Sequence, residues 1–158
     1  MGWGSSGVLG SKLAAPDKVC VAVIGDGDFM MVPHVVATAV EYDIPAIWVI
    51  QNNYTLGAIE GLQHACMTGE VATEFKIHKT GQRYNPDFAA WAKACGAEGE
   101  RVEKPSEIKD ALKRALSSNR PYVIDVSVEE KRGCPATGGW KMPPCPILAP
   151  SFGKIKIR

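Results

Sequence analysis

Three short runs of apolar and β-branched residues, at 19–24, 46–50 and 122–128, constrain the fold more than any other feature of the chain. Each is continuous rather than alternating, the pattern of strands in a parallel sheet covered on both faces. Parallel neighbours need long crossovers, and the sequence between the runs supplies helical punctuation. A helical stretch over roughly 32–42 separates the first two runs and makes a strand–helix–strand unit, whose crossover is expected to be right-handed. Asn85 as N-cap and Pro86 at the first helical position predict a helix ending at Gly96, with Phe88, Trp91, Ala92 and Cys95 on its core stripe. Ser106 opens another, in which Ile108, Ala111, Leu112, Ala115 and Leu116 recur at helical spacing until 117–121 stops it. The expected architecture is α/β, a mainly parallel sheet with helices on both faces.

A chain of 158 residues suits one domain. With 46% hydrophobic and 22% charged residues it can bury a real core. A net charge of +1 advertises neither nucleic acid nor an anionic membrane as partner. No apolar run approaches the roughly 18 residues of a membrane span, and the start has no basic-then-apolar signal pattern. Five cysteines, widely spaced and without a C-x-x-C pair, favour reduced thiols in a cytoplasmic protein over a disulfide framework. Residues 1–10 are Gly/Ser-rich, and 4–7 look like a linker. The aperiodic Gly, Pro and Cys content of 133–150 marks an extended tail, so the division expected is a domain over 1–130 and a tail over 131–158.

Chemistry concentrates in two segments, Val-Ala-Val-Ile-Gly-Asp-Gly-Asp-Phe at 21–29 and Trp-Val-Ile-Gln-Asn-Asn-Tyr-Thr at 48–55. Both put polar residues at the carboxyl end of an apolar strand, the edge where open α/β sheets bind ligands. Gly25 and Gly27 let backbone N–H groups approach a phosphate, and the following helix presents its N-terminal dipole. Asp26 and Asn53 supply hard oxygen ligands suited to Mg²⁺ bridging phosphates, and the cation relieves the repulsion that Asp26 and Asp28 would exert on a phosphate. The third glycine of G-x-G-x-x-G is missing and no G-x-x-x-x-G-K-[ST] occurs, which argues against a nicotinamide dinucleotide site and a P-loop. By itself Gly-Asp-Gly is equally a tight strand-to-helix turn.

Asn53 follows Asp26 by 27 positions, one strand–helix–strand excursion. This pairing resembles the diphosphate-binding motif of thiamine-diphosphate-dependent enzymes, which runs from Gly-Asp-Gly to Asn-Asn. The likeness extends upstream through Met1-Gly-Trp-Gly and residues 10–18, which look like the lead-in of acetolactate-synthase-like members, and downstream through 53–59; it covers Met1 to about Val128 and argues against the linker reading of 4–7. The resemblance implies thiamine diphosphate and Mg²⁺ as cofactors, with Asp26, Asn53 and the Thr55 carbonyl as metal ligands. It implies that the Gly27 and Asp28 amides hold diphosphate oxygens, within a cofactor-binding set of Met1, Gly25, Asp26, Gly27, Asp28, Asn53, Thr55 and Gly57. Met1 falls where the family places the bulky residue that bends the cofactor, and Ala58, Ile59 and Leu62 would face the substrate pocket. Asp28 departs from the small residue or Ser common there, so its backbone rather than its carboxylate is expected at the phosphate. Where many relatives carry a Glu near Val35, this chain has Pro33, His34 and Val35.

The resemblance covers only the diphosphate-binding domain, so the activating Glu is expected on another, aminopyrimidine-binding domain or subunit, and the chain alone should be nearly inactive. The abrupt start at Met1 favours a truncated piece of a longer enzyme. The implied enzyme is a 2-oxo-acid decarboxylase or carboligase of the acetolactate synthase type, acting on a small 2-oxo acid as a homodimer or homotetramer. A glyoxylate-carboligase-like enzyme, whose corresponding stretch is similar to 52–59, and a non-catalytic module that kept the cofactor fold are the alternatives. Among the remaining candidates, His34 and His64 lie near the motif but read more simply as solvent-facing or core-satisfied, and His78 as part of a surface loop over 76–83. Cys134 and Cys145 lack the paired ligands of a zinc site. Trp3 and Trp140 are candidates to cover a cofactor, Trp91 reads as core, and Lys154, Lys156 and Arg158 read as a solvated tail.

Overall fold

The computed structural model describes residues 1–66 and 71–129. The elements run α1 (Trp3–Ala14), β1 (Val21–Gly25), α2 (Asp26–Phe29), α3 (Val35–Glu41), β2 (Ile47–Asn52), α4 (Gly57–Cys66), α5 (Phe88–Ala94), β3 (Glu98–Val102), α6 (Ile108–Ser118) and β4 (Tyr122–Ser127). The four strands form one sheet in the order β1-β2-β4-β3, and every pairing is parallel. Because β1 and β2 are neighbours, with Gly25 opposite Gln51, their carboxyl ends open side by side. That adjacency is what brings the Gly-Asp-Gly and Asn-Asn segments together.

Two apolar layers sandwich the sheet. Val8, Leu9, Phe29, Val36, Ala39, Phe88 and Ala92 from the helices meet Ala22, Ile24, Trp48, Ile50 and Val123 on one side. On the other side Ala111 and Ala115 of α6 pack on Ile47, Val102, Tyr122, Ile124 and Val126. The α/β architecture expected from the apolar runs is therefore present. One strand departs from it: Val19, Val21 and Val23 are 64%, 41% and 61% exposed, because no described element packs on that face of β1. The first run is a half-covered edge strand that alternates in the structure although its composition does not.

The Gly/Ser-rich start is a helix, not a linker. A Cβ on Gly4 would lie 2.8 Å from the Ile24 side chain, so the small residues let α1 press onto β1. Buried Ser5 accepts the Trp48 indole N–H through its carbonyl at 2.9 Å, which ties α1 to β2. The second unpredicted element is β3, whose sequence Glu-Gly-Glu-Arg-Val has no apolar run. It is an edge strand whose charges are paired: Arg120 with Glu98, Arg114 with Glu100, and Arg101 with Asp125. The third is α4.

Other differences concern helix ends and faces. The predicted helix over 32–42 begins only at Val35, after a turn through Pro33. Asp87, not Asn85, caps α5: its carboxylate accepts the Ala90 N–H at 2.8 Å. Gly96, with φ 86°, ends that helix as expected. Trp91 is 41% exposed rather than core, with its indole N–H donating to the Pro33 carbonyl at 3.2 Å. Among the described residues no helix is long and apolar enough to cross a membrane. Trp140, Cys134, Cys145, the basic C-terminus and the whole of the expected tail over 131–158 lie outside the described residues.

Candidate functional site

Asp26 opens α2 directly from the end of β1 and is 1% exposed. Its Oδ2 accepts the Tyr54 N–H at 2.8 Å and the Asn85 side-chain amide at 2.7 Å. Its Oδ1 accepts the Gly27 N–H at 2.9 Å. Across from it, Tyr54 holds φ 60°, the left-handed region that a bulky residue rarely adopts. This turn aims the Asn53 side chain and the Thr55 carbonyl at the same point. One atom of the Asn53 amide lies 3.1 Å from Asp26 Oδ1 and 2.9 Å from the Thr55 carbonyl oxygen. With its nitrogen there, the amide bonds to both acceptors; with its oxygen there, three oxygens converge.

That spacing provides a test of fit. Ligands about 2.1 Å from an octahedral Mg²⁺ stand about 3 Å apart when adjacent. The Asn53 amide stands at that spacing from both Asp26 Oδ1 and the Thr55 carbonyl, and the donor set of carboxylate, amide and carbonyl is the hard-oxygen type Mg²⁺ takes. Among the described residues no group of three or more His, Cys, Asp or Glu side chains that could hold a metal ion is present.

The electrostatics point the same way. No Lys or Arg occurs from Val19 to Phe75, the stretch that contains both halves of the site. Burial pushes the Asp26 carboxyl above its ordinary value, although the Asn85, Gly27 and Tyr54 hydrogen bonds oppose the rise. A buried carboxylate whose own loop offers only N–H dipoles is one that a bound cation would hold ionised.

The other expected residues fall as follows. A Cβ at Gly25 would meet nothing within 4 Å, which leaves the end of β1 open to a ligand. Gly27 is needed for packing, since a Cβ there would stand 2.3 Å from Leu56. The Asp28 carboxylate accepts the Gly2 N–H at 2.7 Å. Gly57 leaves room for Asn53, whose amide would lie 3.1 Å from a Cβ. Thr55 is buried, with its hydroxyl donating to Glu60 at 2.9 Å. Met1 is 62% exposed, and Ala58, Ile59 and Leu62 lie exposed on α4, Ile59 and Leu62 one turn apart. His34, His64 and His78 are exposed, His64 beside Glu60, and Trp3 is exposed too.

Sequence reasoning missed the polar residues behind Asp26. Asn85 also donates to Asn52 Oδ1 at 2.8 Å, and Asn52 donates to Asp125 Oδ1 at 2.9 Å. Arg101 donates to Asp125 Oδ2 at 2.8 Å and to the Tyr54 hydroxyl at 2.8 Å. Asn52 and Asp125 are fully buried, and burial raises the Asp125 carboxyl despite Asn52 and Arg101. The available signal was a lone Asp in the apolar run 122–128; Asn85 was masked by its resemblance to a helix cap.

A parallel sheet with a buried carboxylate, an amide and a carbonyl gathered at the adjoining carboxyl ends of two neighbouring strands defines a cofactor-binding α/β domain. Residues 1–126 match the sequence model of the thiamine pyrophosphate enzyme, C-terminal TPP binding domain, and the chain belongs to that family. YdaP of Bacillus subtilis (strain 168), provisionally named a thiamine pyrophosphate-containing protein, is 39% identical over 128 residues, which are 81% of this chain and 21% of YdaP. The acetolactate synthase large subunit of Haemophilus influenzae is 33% identical over 131 residues, 82% of this chain and 22% of that protein. Among solved structures, the thiamine diphosphate-dependent 4-hydroxybenzoylformate decarboxylase of Rhodococcus jostii RHA1 superposes with a TM-score of 0.72 at 29% identity, covering 83% of this chain and 24% of that one. The chain thus spans about a fifth of the length of the curated relatives it matches.

Proposed function

We propose that this chain is the diphosphate- and Mg²⁺-binding part of a thiamine-diphosphate-dependent 2-oxo-acid decarboxylase or carboligase of the acetolactate synthase type. The observation that carries the reading is the approach of the Asn53 amide to Asp26 Oδ1 and to the Thr55 carbonyl, at 3.1 and 2.9 Å, in a stretch that has no Lys or Arg of its own. Asp26, Asn53 and Thr55 would hold the cation, and the cation would offset the charge of the diphosphate. The open end of β1 at Gly25 would admit the diphosphate, with the Gly27 and Asp28 amides at the start of α2 facing it; Gly27 also donates to Asp26 Oδ1. When bound, thiamine diphosphate supplies the carbanion chemistry that takes CO₂ from a 2-oxo acid. The contribution of this chain is orientation: a diphosphate anchored at a rigid sheet edge fixes where the reactive end lies.

Ala58, Ile59 and Leu62 on the exposed face of α4 would border the substrate, and Met1 would support the bent cofactor. Both roles need a second, aminopyrimidine-binding domain or subunit to close over the site, and the complete enzyme is expected to be at least a homodimer. The wide spacing of the five cysteines, without a C-x-x-C pair, supports a cytoplasmic setting. Calorimetric titration of thiamine diphosphate, with and without Mg²⁺, tests the reading on the chain and on Asp26→Ala. Mg²⁺-dependent binding that Asp26→Ala weakens by roughly 100-fold or more is the expected result, beyond the loss typical of residues outside the ligand shell. Failure to bind even with an aminopyrimidine-binding domain from a related enzyme would favour the non-catalytic module instead.

A further inference from the structure

Asn85 reaches the site from a distant part of the chain, 59 positions from Asp26, and its one side-chain nitrogen serves two acceptors. The two hydrogens of that nitrogen go to Asp26 Oδ2 at 2.7 Å and to Asn52 Oδ1 at 2.8 Å. Neither amide is free to turn over. Asn52 is fully buried and its nitrogen faces the Asp125 carboxylate at 2.9 Å, so its oxygen must be the end that faces Asn85. Asp125 is held in turn by Arg101. In the series from Arg101 through Asp125, Asn52 and Asn85 to Asp26, Asp125 therefore accepts from both neighbours, Asn85 donates to both, and every donor faces an acceptor.

Its consequence falls on the geometry of Asp26. Oδ2 already accepts two hydrogen bonds, from Asn85 and from the Tyr54 N–H, one for each of its two lone pairs. Oδ1 accepts one, from the Gly27 N–H, and its free side faces the Asn53 amide. The carboxylate can thus offer a cation one oxygen, not two. Mg²⁺ demands short contacts in near-octahedral geometry, whereas the larger Ca²⁺ readily takes both oxygens of a carboxylate.

We propose that Asn85 is a positioning residue that locks Asp26 as a one-oxygen ligand and thereby sets a preference for Mg²⁺ over Ca²⁺. The inference rests on the reading of Asp26, Asn53 and Thr55 as the cation site. A role confined to holding the start of α5 would change stability but would not discriminate between two cations of equal charge.

The test uses the full chain with saturating thiamine diphosphate, titrated calorimetrically with Mg²⁺ and separately with Ca²⁺. The wild type, Asn85→Ala and Asn85→Ser are compared, with thermal midpoints of the metal-free proteins as a check on folding. Asn85→Ala is expected to lose about 10-fold or more in Mg²⁺ affinity, the scale of outer-shell substitutions, while Ca²⁺ affinity falls by several-fold less. Should Asn85→Ala fail to fold, Asn85→Ser carries the comparison, since its short hydroxyl donates one hydrogen and cannot serve both acceptors. Equal losses for both cations, or none, would overturn the role of Asn85. A wild-type chain with no cation-dependent binding, even when mixed with an aminopyrimidine-binding domain from a related enzyme, would overturn the site reading itself, and that result appears before any variant is considered.

Discussion

Replacing Gly99 with alanine should destabilise the fold out of proportion to the one methyl group added. Gly99 lies on β3 beneath α5, and a Cβ there would stand 2.6 Å from the Ala89 carbonyl oxygen, 3.0 Å from Ala89 Cα and 3.0 Å from Ala92 Cβ. Two of these atoms are backbone, so no side-chain rotation relieves the contact. Ordinary contact begins at 3.4 Å, so α5 and β3 must separate by about 0.8 Å. That movement loosens Phe88 and Ala92, which are 1% and 0% exposed. Overpacking of this kind costs about 2–3 kcal/mol, and urea unfolding should show a midpoint lower by about 1 M or more. The contrast within the same chain is Gly10→Ala. Gly10 sits inside α1 with nothing within 4 Å of the new Cβ, so alanine should stabilise it by about 0.5–1 kcal/mol. Because Asn85 enters the site just before α5, Gly99→Ala should also weaken Mg²⁺-dependent binding of thiamine diphosphate. An unchanged urea midpoint for Gly99→Ala would refute the close seating of α5 on β3.

Asp87→Ala removes the cap on the Ala90 N–H and should cost about 1 kcal/mol, measured by urea unfolding. Asp125→Ala strands the buried Asn52 amide and the Arg101 guanidinium; because Arg101 is one-third exposed, the loss should be about 2 kcal/mol rather than the larger figure for a fully buried pair. Burial, reinforced by the hydrogen bond to Glu100, pushes the Tyr122 hydroxyl up to about 12. The native state then keeps a proton that the unfolded chain releases near 10.0, so this contribution to stability is intact below 10.0 and is lost as pH rises through about 12. Ultraviolet titration of the phenolates should show Tyr122 ionising late and Glu100→Gln bringing it earlier; an unshifted Tyr122 would sink the argument. Glu100 itself is held below 4.5, chiefly by its hydrogen bond from Arg114, so its contribution is present above 4.5 and fades as pH falls through its lower folded value, which acid unfolding of Glu100→Gln would reveal.

The parallel sheet and the two halves of the site were legible because their signals are local. Apolar runs, a Gly-Asp-Gly turn and an Asn-Asn pair each occupy a few consecutive residues. Elements whose stabilisation comes from elsewhere were not legible. α1 carried no helical signal of its own because its glycine is small for the sake of Ile24, and β3 looked polar because its charges meet partners on α6, β4 and the α6–β4 connection. Trp91 kept its helical spacing but faces the edge of the core, where it is 41% exposed.

By itself, the order of residues determined three of the four strands described, that they run parallel, and that Asp26 and Asn53 follow strands one crossover apart. Only the tertiary structure decided that β1 and β2 lie side by side, which turns 27 positions of sequence into a contact at 3.1 Å. It alone gave Asn85 its place: a residue that reads locally as a helix cap leaves that task to Asp87 and bridges two buried acceptors instead. The physical reason is that a buried acceptor needs a donor from whatever segment folding brings near, and chain distance carries no record of that demand.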